Sequence, residues 1–144
     1  MSARDFLDTN VLVYAYETAD PRKQRIAQQM IKSAVAGEMV ISAQVIGEFA
    51  ATLLHKFSPK MSPEAVRTIL EALASIRFVP TDLDISRRAV EAHATYGIHF
   101  YDGLIVASAE RAGCERIWSE DLNPGQRYFG VTVENPFEVC APTG

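Results

Sequence analysis

Cysteine is scarce: the chain has two in 144 residues, Cys114 and Cys140. They lie too far apart for a CxxC unit, and neither has a histidine at zinc-ligand spacing, so two free thiols are expected rather than a disulfide framework or a zinc site. Long apolar runs are missing as well. No stretch approaches the roughly 18 uninterrupted apolar residues of a membrane span, and the opening "MSARDFLDTN" has no basic stretch leading into an apolar one, as a secretory signal would. A cytoplasmic protein without membrane contact is expected. An excess of basic charge is also lacking. Fourteen Lys and Arg against eighteen Asp and Glu leave a net charge of −4, which argues against broad electrostatic binding of nucleic acid. A nucleic-acid substrate is still allowed, because carboxylates gathered at a metal site bias the sum. Linkers, repeats and low-complexity blocks are absent, so residues 1–144 read as one domain, long enough to bury roughly 68% of its unfolded surface. Several enzyme signatures are missing too: there is no GxSxG, HExxH or GxGxxG motif and no P-loop lysine.

What is present is frequent, regular punctuation. In "ADPRKQRIAQQMIKSAVAG", Asp20 is a cap, Pro21 opens a helix with Ile26, Met30, Ile31 and Val35 near helical spacing, and Gly37 ends it. "EMVIS" reads as a buried strand, and "AQVIGEFAATLLHKF" resumes the helical period after Ser42 as cap. "SPEAVRTILEALAS" is a helix capped by Ser62, and "RFVP" a strand. Thr81 and Asp84 have capping-box spacing before a helix running to about Gly97. "YDGLIVASAERAG", apolar on most sides, predicts a buried helix, and "RIWS" and "GVTV" predict two strands around an "NPG" turn. Strands alternating with helices imply an α/β fold with a mostly parallel sheet covered on both faces. Ligands of such sheets bind beyond the carboxyl ends of the strands.

Acids recur at those ends. In "FLDTNVLVYA", residues 4–7 predict the first strand, so Asp8 emerges at its carboxyl end, just before a helix that begins with Val11 to Tyr16. Glu48 follows the second strand by about a turn, next to Gly47, which would allow close approach of a substrate or backbone. Asp102 opens the buried helix, where first-turn amides favour an anion. Glu120 and Asp121 follow "RIW" in "SEDLNPG". Each acid alone also has a structural reading: Asp8 and Asp102 as caps, Glu48 as a solvated-face residue beside polar Gln44, Thr52 and His55, and Glu120 and Asp121 as turn residues. Taken together they converge if the sheet is doubly wound. Carboxylates that close repel one another unless a cation joins them. Oxygen ligands without organised Cys or His favour Mg²⁺ or Mn²⁺, and such an ion suits phosphate chemistry.

In the ordered set "FLDTNVLVYA", "SAQVIGEF", "YDGLIVASA" and "WSEDL", the chain resembles PIN-domain ribonucleases and, in size, the VapC-type toxins of bacterial toxin-antitoxin pairs. The resemblance implies a three-layer α/β/α sandwich around a parallel sheet, bound Mg²⁺ or Mn²⁺, and hydrolysis of RNA phosphodiesters to 5′-phosphate and 3′-hydroxyl ends. By position it makes Asp8, Glu48, Asp102 and Asp121 the catalytic, metal-binding acids, with Asn10 and Ser119 as supporting polar groups. It also implies a cognate antitoxin partner and a homodimer. Many relatives follow the last acid with an aromatic residue; here "LNPG" follows Asp121, which leaves Glu120 as the competing fourth acid. Other acid-based folds fit less well. A haloacid-dehalogenase-like phosphatase needs a second acid where Asn10 stands, and a phospho-receiver domain needs a lysine where Glu134 stands. The alternatives within the family are a non-toxin PIN nuclease in RNA processing and a catalytically silent module that binds RNA or protein.

Overall fold

The structure, a computed structural model, describes residues 5–138. Arg4 of the expected first strand and Cys140 lie outside the described residues. The elements run β1 (Asp5–Leu7), α1 (Thr9–Tyr14), α2 (Pro21–Val35), β2 (Met39–Ser42), α3 (Ala43–His55), α4 (Pro63–Ala72), β3 (Arg77–Val79), α5 (Leu83–Tyr96), α6 (Phe100–Arg111), β4 (Arg116–Trp118), β5 (Arg127–Tyr128) and β6 (Val131–Glu134). The six-stranded sheet has the order β3-β2-β1-β4-β6-β5, parallel throughout except for β5. From β1 the chain moves outward through β2 to β3 and then returns across the sheet to β4. Right-handed crossovers therefore put α1 to α4 on one face and α5 and α6 on the other, which gives the α/β/α sandwich. The packing agrees: α1 meets α2 and α3, α3 meets α4, and α5 and α6 pack on each other.

Caps explain where the helices begin. Asp20, Ser42 and Ser62 accept from Lys23, Val45 and Ala65 backbone amides, as the side chains at those positions predict. The helix after β3 is capped differently. Asp82, not Thr81, accepts from the Ile85 amide, while Asp84 pairs with Arg87 at 3.1 Å. A carboxylate is the stronger acceptor, and Asp82 also holds Arg111 at 2.6 Å. That helix ends on Gly97 at φ 70°, a left-handed conformation open to glycine. The first helix starts at Thr9, two residues earlier than the apolar pattern suggests, because Asp8 caps it.

The core is made by β1, β2, β4, β6 and the helical faces pressed on them. Phe6, Leu7, Val11, Leu12, Ile41, Phe49, Leu53, Ile105, Ile117 and Val133 are buried, each large side chain contributing about 1.5–3 kcal/mol of transfer free energy. Helix α6 is buried from Gly103 through Ala109, as its all-round apolar sequence predicts. It approaches α5 so closely that a Cβ built on Gly103 would lie 2.7 Å from the Ala89 carbonyl oxygen. Gly103 is therefore the glycine required for close packing; Gly47 is exposed and a Cβ there would meet nothing within 4 Å. The short edge strand β5 was not signalled by hydrophobic alternation. A two-residue turn joins it to β6, with Phe129 at φ 49° and Gly130 at φ 84°. The Phe129 ring is held under the Arg88 guanidinium (3.6 Å) and against Tyr96 (5.2 Å), contacts that offset the backbone cost.

Candidate active site

Between β1 and β4 the strand order reverses, and there Asp8 leaves β1 while Ser119, Glu120 and Asp121 leave β4. One face of α3, from Gln44 to Thr52 and on to Lys56, and the start of α6 close the same space. A cleft of about 500 Å³ results, lined by Asp8, Thr9, Asn10, Gln44, Glu48, Lys56, Tyr101, Asp102, Glu120 and Asp121 among others. The four expected acids thus share one cavity, although they come from four elements.

Asp8 is the buried member, 6% exposed. One carboxylate oxygen accepts from the Thr9 amide at 2.7 Å and the other from the Ser119 hydroxyl at 2.8 Å. The residue is a helix cap and a cleft carboxylate at once, so its two readings are not exclusive. Burial pushes its carboxyl up to about 6; the Ser119 and Thr9 hydrogen bonds oppose that shift, and the charges of Asp121 and Glu48 add to it. Asp102, half-buried, is also raised, first by burial and then by Asp121 and Glu48, with His99 working the other way. Glu48 and Asp121 are exposed.

Neutral donors separate these charges. The Thr9 hydroxyl donates to Glu48 at 2.9 Å, and the Asn10 amide donates to Asp121 at 3.1 Å, with marginal 3.5 Å approaches to Asp8 and Ser119. Asn10 also accepts from the Glu120 amide at 3.1 Å, tying α1 to the loop after β4. Ser119, fully buried, donates to Asp8 and accepts from the Asp121 and Leu122 amides, at 3.1 and 3.2 Å. The supporting polar residues therefore orient both the acid and the loop. Among the described residues, no three His, Cys, Asp or Glu side chains are gathered tightly enough to enclose a metal ion. Each exposed acid is held by a neutral donor instead, Glu48 by Thr9 and Asp121 by Asn10. The donor set still fits a hard divalent cation by type, since it is oxygen throughout and all four carboxylates face one space.

Glu120 and Asp121 are adjacent but differ in what they touch. Glu120 forms an ion pair with Lys23 and accepts from the Tyr14 hydroxyl at 2.8 Å. Lys23 in turn lies over the Tyr14 and Phe137 rings at 4.7 and 5.3 Å. Its charge is neutralised locally. Asp121 has no such partner among the described residues and is the one of the pair that acts electrostatically on Asp8 and Asp102. Asp5, at the other end of β1, shows the same contrast: Arg116 at 3.2 Å and the Trp118 indole N–H at 3.0 Å hold it.

Thr9, Lys23, Lys56 and Tyr101 were not picked out by motif. The signal for Lys56 was available in the stripe Gln44, Glu48, Thr52 and Lys56, which recurs every four residues along α3 and points into the cleft. Read alone, its polar members looked like a solvated face.

Comparison with known proteins agrees with this architecture. A search of curated protein sequences found no significant match. Among solved structures, a DNA-bound VapBC from Salmonella typhimurium is similar at 16% identity and a TM-score of 0.68, covering 93% of this chain and 98% of that one. FitAcB from Neisseria gonorrhoeae is similar at 19% identity and a TM-score of 0.65, covering 94% and 99%. VapC20 of Mycobacterium tuberculosis, a Sarcin-Ricin loop cleaving toxin, is similar at 19% identity and a TM-score of 0.60, covering 81% and 89%. At these identities the likeness is one of fold. The PIN domain family model matches residues 6–128, a span that holds the whole cleft, and the chain belongs to the PIN domain family.

Proposed function

We propose that the chain is a metal-dependent endoribonuclease with Asp8, Glu48, Asp102 and Asp121 as its metal-binding acids, and that it serves as the toxin of a toxin-antitoxin pair. The observation that carries the reading is the convergence of these acids on one cleft, with Asp8 buried and, among the described residues, without a cationic partner. Such an arrangement costs stability, and costs of this kind concentrate at functional sites. Mg²⁺ or Mn²⁺ suits the oxygen donors. When bound, such an ion supplies a Lewis acid for a phosphoryl oxygen and lowers the pKa of water.

The residues divide the work by burial. Asp8 and Asp102, the less exposed pair, are the anchors, and Asp8 is oriented by Ser119 and the Thr9 amide. Glu48 and Asp121 complete the set, each now held by a neutral donor that can release it. Asn10 spans Asp8 and the loop bearing Asp121, and so keeps the two sides of the cleft in register. Lys23 holds Glu120 apart, which favours Asp121 as the fourth acid. The spread of the acids is what would favour a silent binding module instead. Against it stands the burial of Asp8 close enough to Asp121 and Glu48 to feel their charges, with no cation beside it among the described residues, an electrostatic cost beyond what its role as a cap requires.

A structurally similar protein from Klebsiella pneumoniae was solved as a toxin-antitoxin complex, which supports a small antitoxin as partner of this chain; a cytoplasmic homodimer is part of the same proposal. No helix of the described residues is long and apolar enough to cross a membrane. The test is to incubate purified protein with a mixed RNA pool in Mg²⁺, Mn²⁺ or EDTA and to map the ends of the products. Cleavage leaving 5′-phosphate and 3′-hydroxyl ends is expected, lost in EDTA and reduced roughly a hundredfold or more in Asp102→Asn. RNA left intact in both ions refutes the nuclease. Expression of wild type, but not Asp102→Asn, should slow growth. Unhindered growth with soluble wild-type protein refutes the toxin and leaves an RNA-processing nuclease.

A further inference from the structure

The acids explain chemistry at a phosphate, but repelling carboxylates do not explain how a polyanion enters the cleft. Two lining residues offer the missing attraction. Tyr101 is 56% exposed and lines the cleft. Its backbone is pinned on both sides: the Tyr101 amide donates to His99 Nδ1 at 3.2 Å, and the Gln44 side chain donates to the Tyr101 carbonyl at 3.3 Å. One face of the ring stacks on His99 at 5.8 Å and 18°. The result is a preorganised aromatic platform at the cleft. Lys56 is the one Lys or Arg among the lining residues, and it is exposed. Among the described residues, its ammonium has no ion pair or side-chain hydrogen bond.

Helix α3 relates the two. Gln44, which contacts Tyr101, stands at its start; Glu48 follows one turn on; Lys56 stands just past its end. At 1.5 Å per residue, Gln44 and Lys56 are about 18 Å apart along the axis, with the acid-lined floor between.

We infer that Tyr101 and Lys56 are the two ends of an RNA-binding track across the cleft, Tyr101 stacking an unpaired nucleobase and Lys56 holding a backbone phosphate. The inference rests on the nuclease reading, because the acids between the ends are taken as the place of cleavage. Stacking needs the π face and no charge, so it is tolerant of base identity and indifferent to salt; a lysine–phosphate contact is neither aromatic nor salt-insensitive. The two ends therefore leave different signatures.

The experiment measures kcat and KM for a short, mixed-sequence single-stranded RNA in Mg²⁺ over a range of salt. The same 5′-fluorescein-labelled RNA is used for binding by anisotropy in EDTA. Tyr101→Ala and Tyr101→Leu should raise KM roughly 5- to 150-fold at every salt concentration, with kcat within about threefold, while Tyr101→Phe stays within about twofold of wild type. Lys56→Met should reduce the slope of log affinity against log salt by about 0.7. Unchanged KM in Tyr101→Ala, a Phe variant as weak as Ala, or an unaltered slope in Lys56→Met overturns the track while leaving the nuclease standing. If wild type binds RNA without cleaving it, the nuclease reading falls and the anisotropy comparison alone decides the track. Absence of both binding and cleavage overturns both.

Discussion

Replacing Asp8 by Asn should make the metal-free protein more stable at neutral pH, not less. Burial holds the Asp8 carboxyl at about 6 against an ordinary 3.8, so the folded state favours the protonated acid. The stability contributed by neutral Asp8 is fully present below about pH 3.8 and is lost as pH rises through about 6. Above that, ionised Asp8 costs the fold about 3 kcal/mol, at 1.36 kcal/mol for each pKa unit. Asn is neutral at every pH and caps a helix about as well as Asp. Like the protonated acid, it presents a hydrogen to one of the two donors, the Thr9 amide or the Ser119 hydroxyl, so that loss is already contained in the raised carboxyl. In urea unfolding with EDTA, Asp8→Asn should therefore match wild type to within about 1 kcal/mol near pH 4 and be more stable by about 3 kcal/mol at pH 7.5. Taking the difference between the two proteins at each pH cancels the titration of the groups that do not interact with Asp8 and leaves that of Asp8 and of Asp121 and Glu48, whose charges act on it. A difference that stays flat with pH, or an Asn variant destabilised throughout, would refute a buried, uncompensated carboxylate and leave Asp8 as an ordinary cap. Asp8→Ala separates the effects further, since loss of the cap costs about 0.5–2 kcal/mol.

Mg²⁺ or Mn²⁺ should raise the melting temperature of wild type, by an amount equivalent to about 2.7 kcal/mol at a hundredfold excess over the dissociation constant, and EDTA should reverse it; indifference to both ions would contradict the acid site. Ser119→Ala should move the Asp8 carboxyl further above 6, because that hydrogen bond stabilises the ionised form, and carboxyl-carbon NMR titration would show an unchanged or lower value if the bond is unimportant. Gly103→Ala should destabilise by roughly 1–3 kcal/mol, since the added Cβ meets the Ala89 backbone; thermal denaturation reads it, and an unaltered melting temperature would mean that α5 and α6 separate easily.

Most of the fold was legible in the chain because its signals are local. The apolar period of α2 and α3, their Asp20 and Ser42 caps, and the solid apolar run of α6 each predict an element from neighbouring residues alone. Alternation of strand and helix then implies the parallel sheet, and the order of acids along the chain implies convergence at its carboxyl edge. What tertiary structure decided is the electrostatic identity of each acid. Glu120 and Asp121 are adjacent in sequence, yet Lys23, nearly a hundred positions away, neutralises the first and leaves the second facing Asp8. Glu48, on what read as a solvated face, meets the Thr9 hydroxyl across 39 positions, and Asp8 is raised because the sheet and Ser119 surround it. Capping and periodicity act over a few residues, and a sequence displays them directly; desolvation and Coulomb interaction depend on distances that exist only once the chain has folded.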